Sequence, residues 1–287
     1  MNNYRISALY SGSGGNCTYI EAAGTAILVD AGKSARTLCS ALKNIGSDIS
    51  RIGAIFITHE HNDHISALEV LTKKYHIPIH IAEPSAAKLE RDPSSAVCSC
   101  LVRHTPQYTA DIGGIHAVSF MTPHDSMMSV GYRFEFTDTC GKRRFIGVAT
   151  DIGYVSNEVR DGLTGCEAVV LEANHDIDML KSGPYPYDLK KRVMSRRGHL
   201  SNRESAEFAS YLVAHGTRAF LLAHLSAENN RPEIALDEFT SAIADPRIKV
   251  TVALPDEPSE LNLPDDTEKE DSELLNAFSK TYHCRNS

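Results

Sequence analysis

The sequence has no tryptophan, no run of 18 consecutive apolar residues and no cysteines in a C-x-x-C pair. The missing apolar run argues against a membrane-spanning helix, and the beginning of the chain lacks the basic and apolar segments of a secretion signal. The seven cysteines are scattered and odd in number, which suits reduced thiols better than a disulfide framework. We therefore expect a cytoplasmic protein without a membrane partner.

An excess of basic charge is also absent, because the net charge of the chain is -8. Residues 255–275 carry nine acidic residues and one lysine, so residues 1–254 are close to neutral. We predict one folded domain over residues 1–254 and a largely disordered acidic tail over residues 255–287. A nearly neutral domain does not exclude an anionic partner.

Apolar runs typical of strands alternate with helical patterns along residues 4–254. Short connections containing Gly or Asn predict hairpins early in the chain, whereas later strands alternate with helices. The best-marked helix covers residues 202–215, after the capping pair Ser201 and Glu204 and before Gly216. The pattern predicts an α/β sandwich with helices outside the sheet layers.

Five predicted strands end in the same way, with a ligand-capable side chain directly after the apolar run. The strands lead to His59, His124, Asp151, His175 and His224. Side chains just past the carboxyl ends of buried strands are where α/β sheets build their sites. One such ending means little, but five of them predict convergence on one edge.

The densest of these endings is ITHEHNDH, residues 57–64. His59 and His61 lie two residues apart on a loop and can turn their rings to one point. Asp63 and His64 face a second point close by, because the chain turns into a helix there. Imidazole and carboxylate without cysteine are ligands of Zn(II), Mn(II) or Fe(II). The stretch therefore predicts a metal centre.

The motif H-x-H-x-D-H, followed at a distance by His124, Asp151 and His224, resembles the metallo-β-lactamase-fold hydrolases in order and spacing. Further stretches resemble one group within them, the YycJ/WalJ-like 5′-to-3′ exonuclease-like proteins of bacteria. The resemblance covers about residues 4–254. It rests on SGSGGNCTYIE (11–21), TPHDSMMSVGYRF (122–134), ATDIGYVSNEV (149–159), GHLSN (198–202) and LAHLSAENNRPEIA (222–235).

This resemblance implies a four-layer αββα sandwich with two divalent metal ions, Zn, Mn or Fe. One ion would be held by His59, His61 and His124. The other would be held by Asp63, His64 and His224, with Asp151 bridging the two. A hydroxide bridging two such ions attacks phosphorus in phosphodiester hydrolysis. If only one ion is bound, Asp63 would instead orient the attacking water.

Five further residues extend the predicted site. His199, in the turn GHLSN, resembles the proton donor of the tRNA-3′-processing nucleases, and Glu172 would orient His199 or a ligand imidazole. Asn16, in the loop SGSGGN, would take a phosphate oxygen together with backbone N–H groups, the alternative being a flexible hairpin. Lys191 and Arg192 would bind the nucleic-acid backbone, the alternative being a solvated helix face.

The predicted function is a metal-dependent phosphodiesterase, a 5′-to-3′ exonuclease-like enzyme with DNA favoured over RNA as its partner. A small-molecule thioester or lactone hydrolase is the alternative, since the metal ligands would be the same. The basic segment and the GHLSN turn favour the nuclease, because a neutral ester requires neither. The 73 residues between Asp151 and His224 are too few for a large cap domain, so we expect an open substrate groove.

Overall fold

Two seven-stranded β-sheets lie face to face in the computed structural model, which describes residues 4–261 and 263. The strands of the first sheet are β1 (Tyr4–Tyr10), β2 (Cys17–Ala22), β3 (Thr25–Val29), β4 (Ile52–Phe56), β5 (Ile79–Ala82) and β6 (Leu101–His104). The strands of the second are β7 (Thr109–Ile112), β8 (Ile115–Thr122), β9 (Ser129–Thr137), β10 (Arg143–Ala149), β11 (Ala168–Glu172), β12 (Ala219–Ala223) and β13 (Lys249–Val252). A last strand, β14 (Ser259–Glu260), pairs with β1 and completes the first sheet.

Helices cover the outer faces of both sheets. They are α1 (Ala35–Asn44), α2 (Asn62–Ile65), α3 (Leu68–Tyr75), α4 (Glu83–Leu89), α5 (Ala96–Cys100), α6 (Asn157–Leu163), α7 (Ile177–Ser182), α8 (Tyr187–Val193), α9 (Asn202–Ala214) and α10 (Pro232–Ile243). A short 3-10 helix, Ile49–Arg51, precedes β4. None of the helices within the described residues is long and apolar enough to cross a membrane.

Three buried apolar clusters define the layers. The first lies between the sheets and includes Phe56 and Phe134. The second joins the first sheet to α1 and α3 through Leu38 and Leu71. The third joins the second sheet to the helices on its outer face, with Phe239 of α10 among its side chains. Burial of apolar side chains on both faces of each sheet confirms the predicted four-layer αββα sandwich.

The strand directions bring many loops to one edge of the sandwich. In the second sheet β10, β11, β12 and β13 are parallel, and β8 runs in the same direction because β9 is antiparallel to both β8 and β10. In the first sheet β3 and β4 are parallel, with β1 running the same way. The carboxyl ends of each parallel set therefore share an edge.

The start of α9 is as predicted. The Ser201 side chain accepts a hydrogen bond from the Glu204 N–H at 3.2 Å, and the Ser201 N–H donates to the Glu204 carboxylate at 3.0 Å. This reciprocal pair stabilises the first turn of the helix. It also fixes the loop directly before it, which carries His199.

Several short elements were not predicted from the sequence, namely β6, β7, α5, α7 and β14. Strand β14 lies beyond residue 254, where we expected the folded domain to end, and Leu261 after it is buried. The rest of the predicted acidic tail, residues 264–287, lies outside the described residues.

Candidate metal centre

The ITHEHNDH segment folds back against two loops of the first sheet. His61 precedes α2, whose first turn carries Asp63 and His64. The Asn16 N–H donates to the Asp63 carbonyl at 2.8 Å, and the Ala31 N–H donates to the His64 carbonyl at 2.8 Å. These backbone bonds hold the segment at the edge where β4 ends.

The structure brings all seven predicted metal ligands together. Their ligand atoms form three groups, in each of which the atoms lie within 4.8 Å of one another. Asp151 lies between the two histidine sets, with its carboxylate 3.6 Å from His124 Nε2 of one set and 3.5 Å from His224 Nε2 of the other. The groups are His59, His61 and His124; His59, His64 and Asp151; and Asp63, His64 and His224. We call the seven residues the metal-binding cluster.

The chemistry of the cluster fits divalent metal ions. The Nε2 atoms of His59 and His224 and the Oδ2 atom of Asp151 are buried and have no hydrogen-bond partner in the described part of the chain. Each buried polar atom without a partner costs about 1–3 kcal/mol. Neutral imidazole nitrogens and carboxylate oxygens are the donors that Zn(II), Mn(II) and Fe(II) accept. Ions at this site would satisfy all three atoms.

Partners behind the cluster orient the imidazoles. The Nδ1 atom of His124 faces the Gly198 carbonyl at 3.2 Å, and that of His224 faces Glu172 Oε1 at 3.1 Å. The Nδ1 atom of His64 lies 2.8 Å from Asp30 Oδ2. Each of these contacts leaves Nε2 turned toward the cluster, as metal binding requires.

Asp30 was not predicted as a site residue. It follows β3, is buried, and accepts hydrogen bonds from both the N–H and the hydroxyl of Thr58. An acidic residue at the end of an apolar strand was the available signal. Its partner His64 is 34 residues further on, so only the folded chain shows the pair.

Burial and neighbouring charged groups shift the pKa values of the histidines in the cluster. Burial lowers the pKa of His59 well below its usual value, so this ring is neutral and able to bind a cation. Burial opposes protonation of His224 as well, but the neighbouring carboxylates of Asp151, Asp63 and Glu172 raise its pKa to about 10. A cation bound here would therefore displace a proton from His224.

The backbone is strained at three points around the cluster. Asp30, Asp151 and His224 have φ angles of 65°, 58° and 59°, in the left-handed region. Such conformations cost about 1–3 kcal/mol each and persist only where the surrounding structure fixes them. Asp30 and His224 directly follow a strand, and Asp151 is two residues past the end of β10. The reversed backbone is part of what turns their side chains into the site.

His199 and Glu172 form a pair at the rim of the cluster. His199 Nδ1 lies 2.8 Å from Glu172 Oε1, and the His199 ring is 5.1 Å from that of His224. The other oxygen of Glu172 accepts hydrogen bonds from the N–H groups of Ile152 and Leu200. Burial raises the pKa of Glu172, but the charge of His199 and the hydrogen bonds to His199 and His224 together outweigh it, and the pKa falls to about 2. Glu172 is thus an anion that fixes the His199 ring.

The predicted substrate-binding residues lie in different environments. Asn16 is buried, and its amide nitrogen lies 3.2 Å from His64 Nε2 and 3.4 Å from the Asp63 carboxylate. Arg192, on α8, donates from Nε to Asp125 at 2.5 Å. Lys191 places its ammonium 4.5 Å from the centre of the Tyr187 ring. Their contact with nucleic acid remains a prediction.

His175, whose role the sequence left open, is buried beside the His199 loop. Its carbonyl accepts a hydrogen bond from the Asn202 N–H at 2.8 Å. Its Nδ1 atom has no partner among the residues that the structure describes. The hydrogen bond between the Asn202 N–H and the His175 carbonyl connects the segment after β11 to the start of α9.

Comparisons with known proteins agree with the fold. The family model described as metallo-beta-lactamase superfamily matches residues 10–119. Among solved structures, the metallo-beta-lactamase fold protein YhfI from Bacillus subtilis superposes with a TM-score of 0.68, at 16% identity, over 90% of this chain and 99% of that one. The human short-form tRNase Z gives a TM-score of 0.60 at 18% identity, over 91% and 100%. Fold and cluster together define a metal-dependent hydrolase of the metallo-β-lactamase superfamily.

Two curated relatives narrow this class. The chain is 36% identical over 234 residues to the exodeoxyribonuclease WalJ of Streptococcus pneumoniae, over 81% of this chain and 85% of the relative. It is 33% identical over 230 residues to the exodeoxyribonuclease YycJ of Bacillus anthracis, over 80% and 85%. The chain belongs to the WalJ/YycJ family.

Proposed function

We propose that this protein is a metal-dependent exodeoxyribonuclease that hydrolyses the phosphodiester bonds of DNA from the 5′ end. The observation that carries the proposal is the His199–Glu172 pair beside the metal-binding cluster, in a chain whose curated relatives are named exodeoxyribonucleases. We infer two divalent ions, of Zn, Mn or Fe, and the division of the ligand atoms into more than one group supports this number.

Divalent ions held by the cluster would lower the pKa of water and neutralise charge on a phosphodiester. Side chains of the protein would supply the remaining step, protonation of the leaving group. The leaving group of phosphodiester hydrolysis is an alkoxide, which is poor unless it is protonated. His199 uses Nδ1 for Glu172, so its Nε2 is the ring nitrogen left to donate a proton to the leaving oxygen.

Glu172 supports this role by orientation. Its own position is fixed by the N–H groups of Ile152 and Leu200, and its hydrogen bond to Nδ1 sets the direction of the His199 ring. Asp63 has a side chain that is 27% exposed, against 3% for Asp151 and 4% for His224. Asp63 is therefore the carboxylate of the cluster that a solvent molecule reaches most easily, which suits orientation of the attacking water.

The test uses purified protein loaded separately with Mn(II) and Zn(II). Single- and double-stranded DNA and RNA, labelled at either the 5′ or the 3′ end, are the substrates. We expect a 5′ label to be released first as a mononucleotide from DNA, and Asp151→Ala to abolish release. Faster hydrolysis of a neutral thioester or lactone than of any nucleic acid would contradict the proposal and support the alternative small-molecule hydrolase.

A second measurement addresses His199. We expect His199→Ala to lower turnover by about 10²–10⁴-fold with metal content unchanged, because general acid catalysis contributes about that much. His116→Ala is a matched control, since His116 pairs with Asp111 in the exposed β7–β8 hairpin. Normal turnover in the His199 variant would refute the assignment of the proton donor.

A further inference from the structure

Asp125 directly follows the predicted ligand His124 and lies against the same cluster. Its Oδ1 atom is 3.2 Å from His124 Nε2. This oxygen is buried and has no hydrogen-bond partner within residues 4–261. Since the Nδ1 atom of His124 faces the Gly198 carbonyl, Nε2 is the atom turned to the cluster. Asp125 therefore presents a carboxylate beside the group of His59, His61 and His124.

The other oxygen of Asp125 holds Arg192. The distance from Arg192 Nε to Asp125 Oδ2 is 2.5 Å, and the Arg192 side chain is 56% exposed. The bond uses the inner nitrogen of the guanidinium, so the outer two nitrogens are available to another anion. The hydrogen bond that Arg192 donates to Asp125 raises the pKa of Arg192, burial lowers it, and the charges of Asp125 and Asp63 raise it further. Arg192 is thus held beside His124 through Asp125.

A guanidinium in this position has a defined use in phosphodiester chemistry. Negative charge on the non-bridging oxygens must be stabilised in the transition state, and a fixed arginine does this at little reorganisation cost. A thioester or lactone carries no such anionic oxygens before attack. The side chain would therefore favour phosphodiesters over neutral esters at a shared metal centre.

Lys191, the neighbour of Arg192 on α8, has a different environment. Its ammonium lies over the Tyr187 ring, whose residue is 70% exposed. Of these two residues, Arg192 is the one that pairs with an acidic residue, Asp125, which lies next to the predicted ligand His124. The two adjacent cations therefore have separate roles.

We propose that Asp125 is a positioning residue that holds Arg192 against the metal-binding cluster, and that the Arg192 guanidinium binds a non-bridging oxygen of the phosphodiester being cleaved. The inference rests on the proposed nuclease function and deepens it. Arg192 would then help to determine which class of substrate is cleaved, because it would bind the phosphate being cleaved and not the phosphates along the rest of the DNA strand.

The experiment compares Arg192→Ala, Arg192→Lys and Asp125→Asn in the metal-loaded protein. The substrates are end-labelled DNA and bis(p-nitrophenyl) phosphate, and kcat and KM are measured separately together with metal content. The matched control is the pair Arg247→Gln and Asp245→Asn. That pair has the same residue types, joined at 2.7 and 2.9 Å, and it precedes β13, so it lies at the opposite edge of the sheet from the cluster.

We expect Arg192→Ala to lower kcat/KM on both substrates by about 10²-fold, the loss typical of one transition-state donor. Metal content and the thermal midpoint should stay unchanged. Millimolar guanidinium ion should restore part of kcat in this variant, and methylammonium should restore less. Asp125→Asn should lower kcat/KM about tenfold. In the double variant, Arg192→Ala with Asp125→Asn, guanidinium ion should no longer restore kcat, because the positioning carboxylate is absent.

Three results would overturn the inference while the proposed function stands. They are wild-type kcat/KM in Arg192→Ala, failure of guanidinium to restore any activity, and loss of metal ions from Asp125→Asn, which would make Asp125 a ligand. If Arg192→Ala does not fold, Arg192→Lys decides: full activity there would exclude a guanidinium-specific contact. If the wild-type protein cleaves no phosphodiester, the proposed function fails and the inference falls with it.

Discussion

Replacing Asp30 by Asn removes one negative charge and leaves the shape of the side chain unchanged. In the native protein one carboxylate oxygen accepts from the Thr58 N–H at 2.8 Å, and the other faces His64 Nδ1 at 2.8 Å. An asparagine can keep the first bond with its carbonyl oxygen, but its NH₂ group then meets His64 Nδ1. Two donors cannot pair, so His64 is driven to the tautomer that carries its proton on Nε2, the atom that would bind metal.

The expected effect falls on metal affinity. Loss of a carboxylate behind a ligating histidine typically weakens binding by 10–100-fold, or about 1.4–2.7 kcal/mol. Affinity is measured by competition of Zn(II) or Mn(II) against a chelating dye, and the free energy of unfolding of the metal-free protein is measured by urea titration. We expect the variant to bind the more weakly held ion at least tenfold less tightly.

Asp138→Asn is the matched control. Asp138 has a side chain that is 7% exposed, accepts from backbone N–H groups and pairs with Arg144, in the connection between β9 and β10 and therefore at the far edge from the cluster. It should change stability but not metal affinity. Equal metal affinity in wild type and Asp30→Asn, with the variant folded, would refute the tautomer argument.

Three further predictions follow from particular contacts. Glu172→Gln should lower turnover by about tenfold with metal content unchanged, because the His199 ring loses the carboxylate that fixes its direction; unchanged turnover would exclude this role of the pair. Gly32→Ala should destabilise the fold by about 3 kcal/mol or more in urea titration, since its Cβ would lie 1.6 Å from the Asp63 carbonyl oxygen, whereas Gly14→Ala, with nothing within 4 Å, should not. Burial and the neighbouring His104 lower the pKa of His80 to about 4, so the unfolded chain binds more protons between about pH 4 and 6.5 and stability falls as the pH falls. At pH 5 this amounts to at most about 2 kcal/mol relative to pH 7, and His80→Phe should remove that part of the difference in urea titrations.

The metal-binding cluster could be predicted from the sequence because each ligand lies beside a recognisable signal. Apolar runs mark the strands, and the side chains just after them are confined to the sheet edge. The carboxyl ends of β8, β10 and β12 converge because those strands run in one direction. The hydrophobic pattern predicts the strands themselves but gives their relative directions only in outline.

Glu172 was predicted among the residues that support the cluster, but Asp30 and Asp125 could not be predicted in the same way. Asp30 and Asp125 act through partners 34 and 67 residues away, and nothing in the local pattern indicates such pairs. Strands β6 and β7 were missed because they are four residues long, lie at sheet edges and have no fully buried residue, so they lack an apolar run. Strand β14 was not predicted because the acidic composition of residues 255–275 indicated a disordered tail. Leu261, which follows the strand and is buried, was an apolar signal close to it.

The ligands of the cluster come from both sheets: His59, His61, Asp63 and His64 follow β4 of the first sheet, and His124, Asp151 and His224 follow strands of the second. Bound ions would thus crosslink the two halves of the sandwich, as a disulfide does elsewhere; the six cysteines in the described part are all free. An ion present at 1,000 times its dissociation constant adds about 4 kcal/mol of stability. A copy that fails to acquire metal is therefore both inactive and the easier one to unfold, so proteolytic quality control would remove inactive copies first.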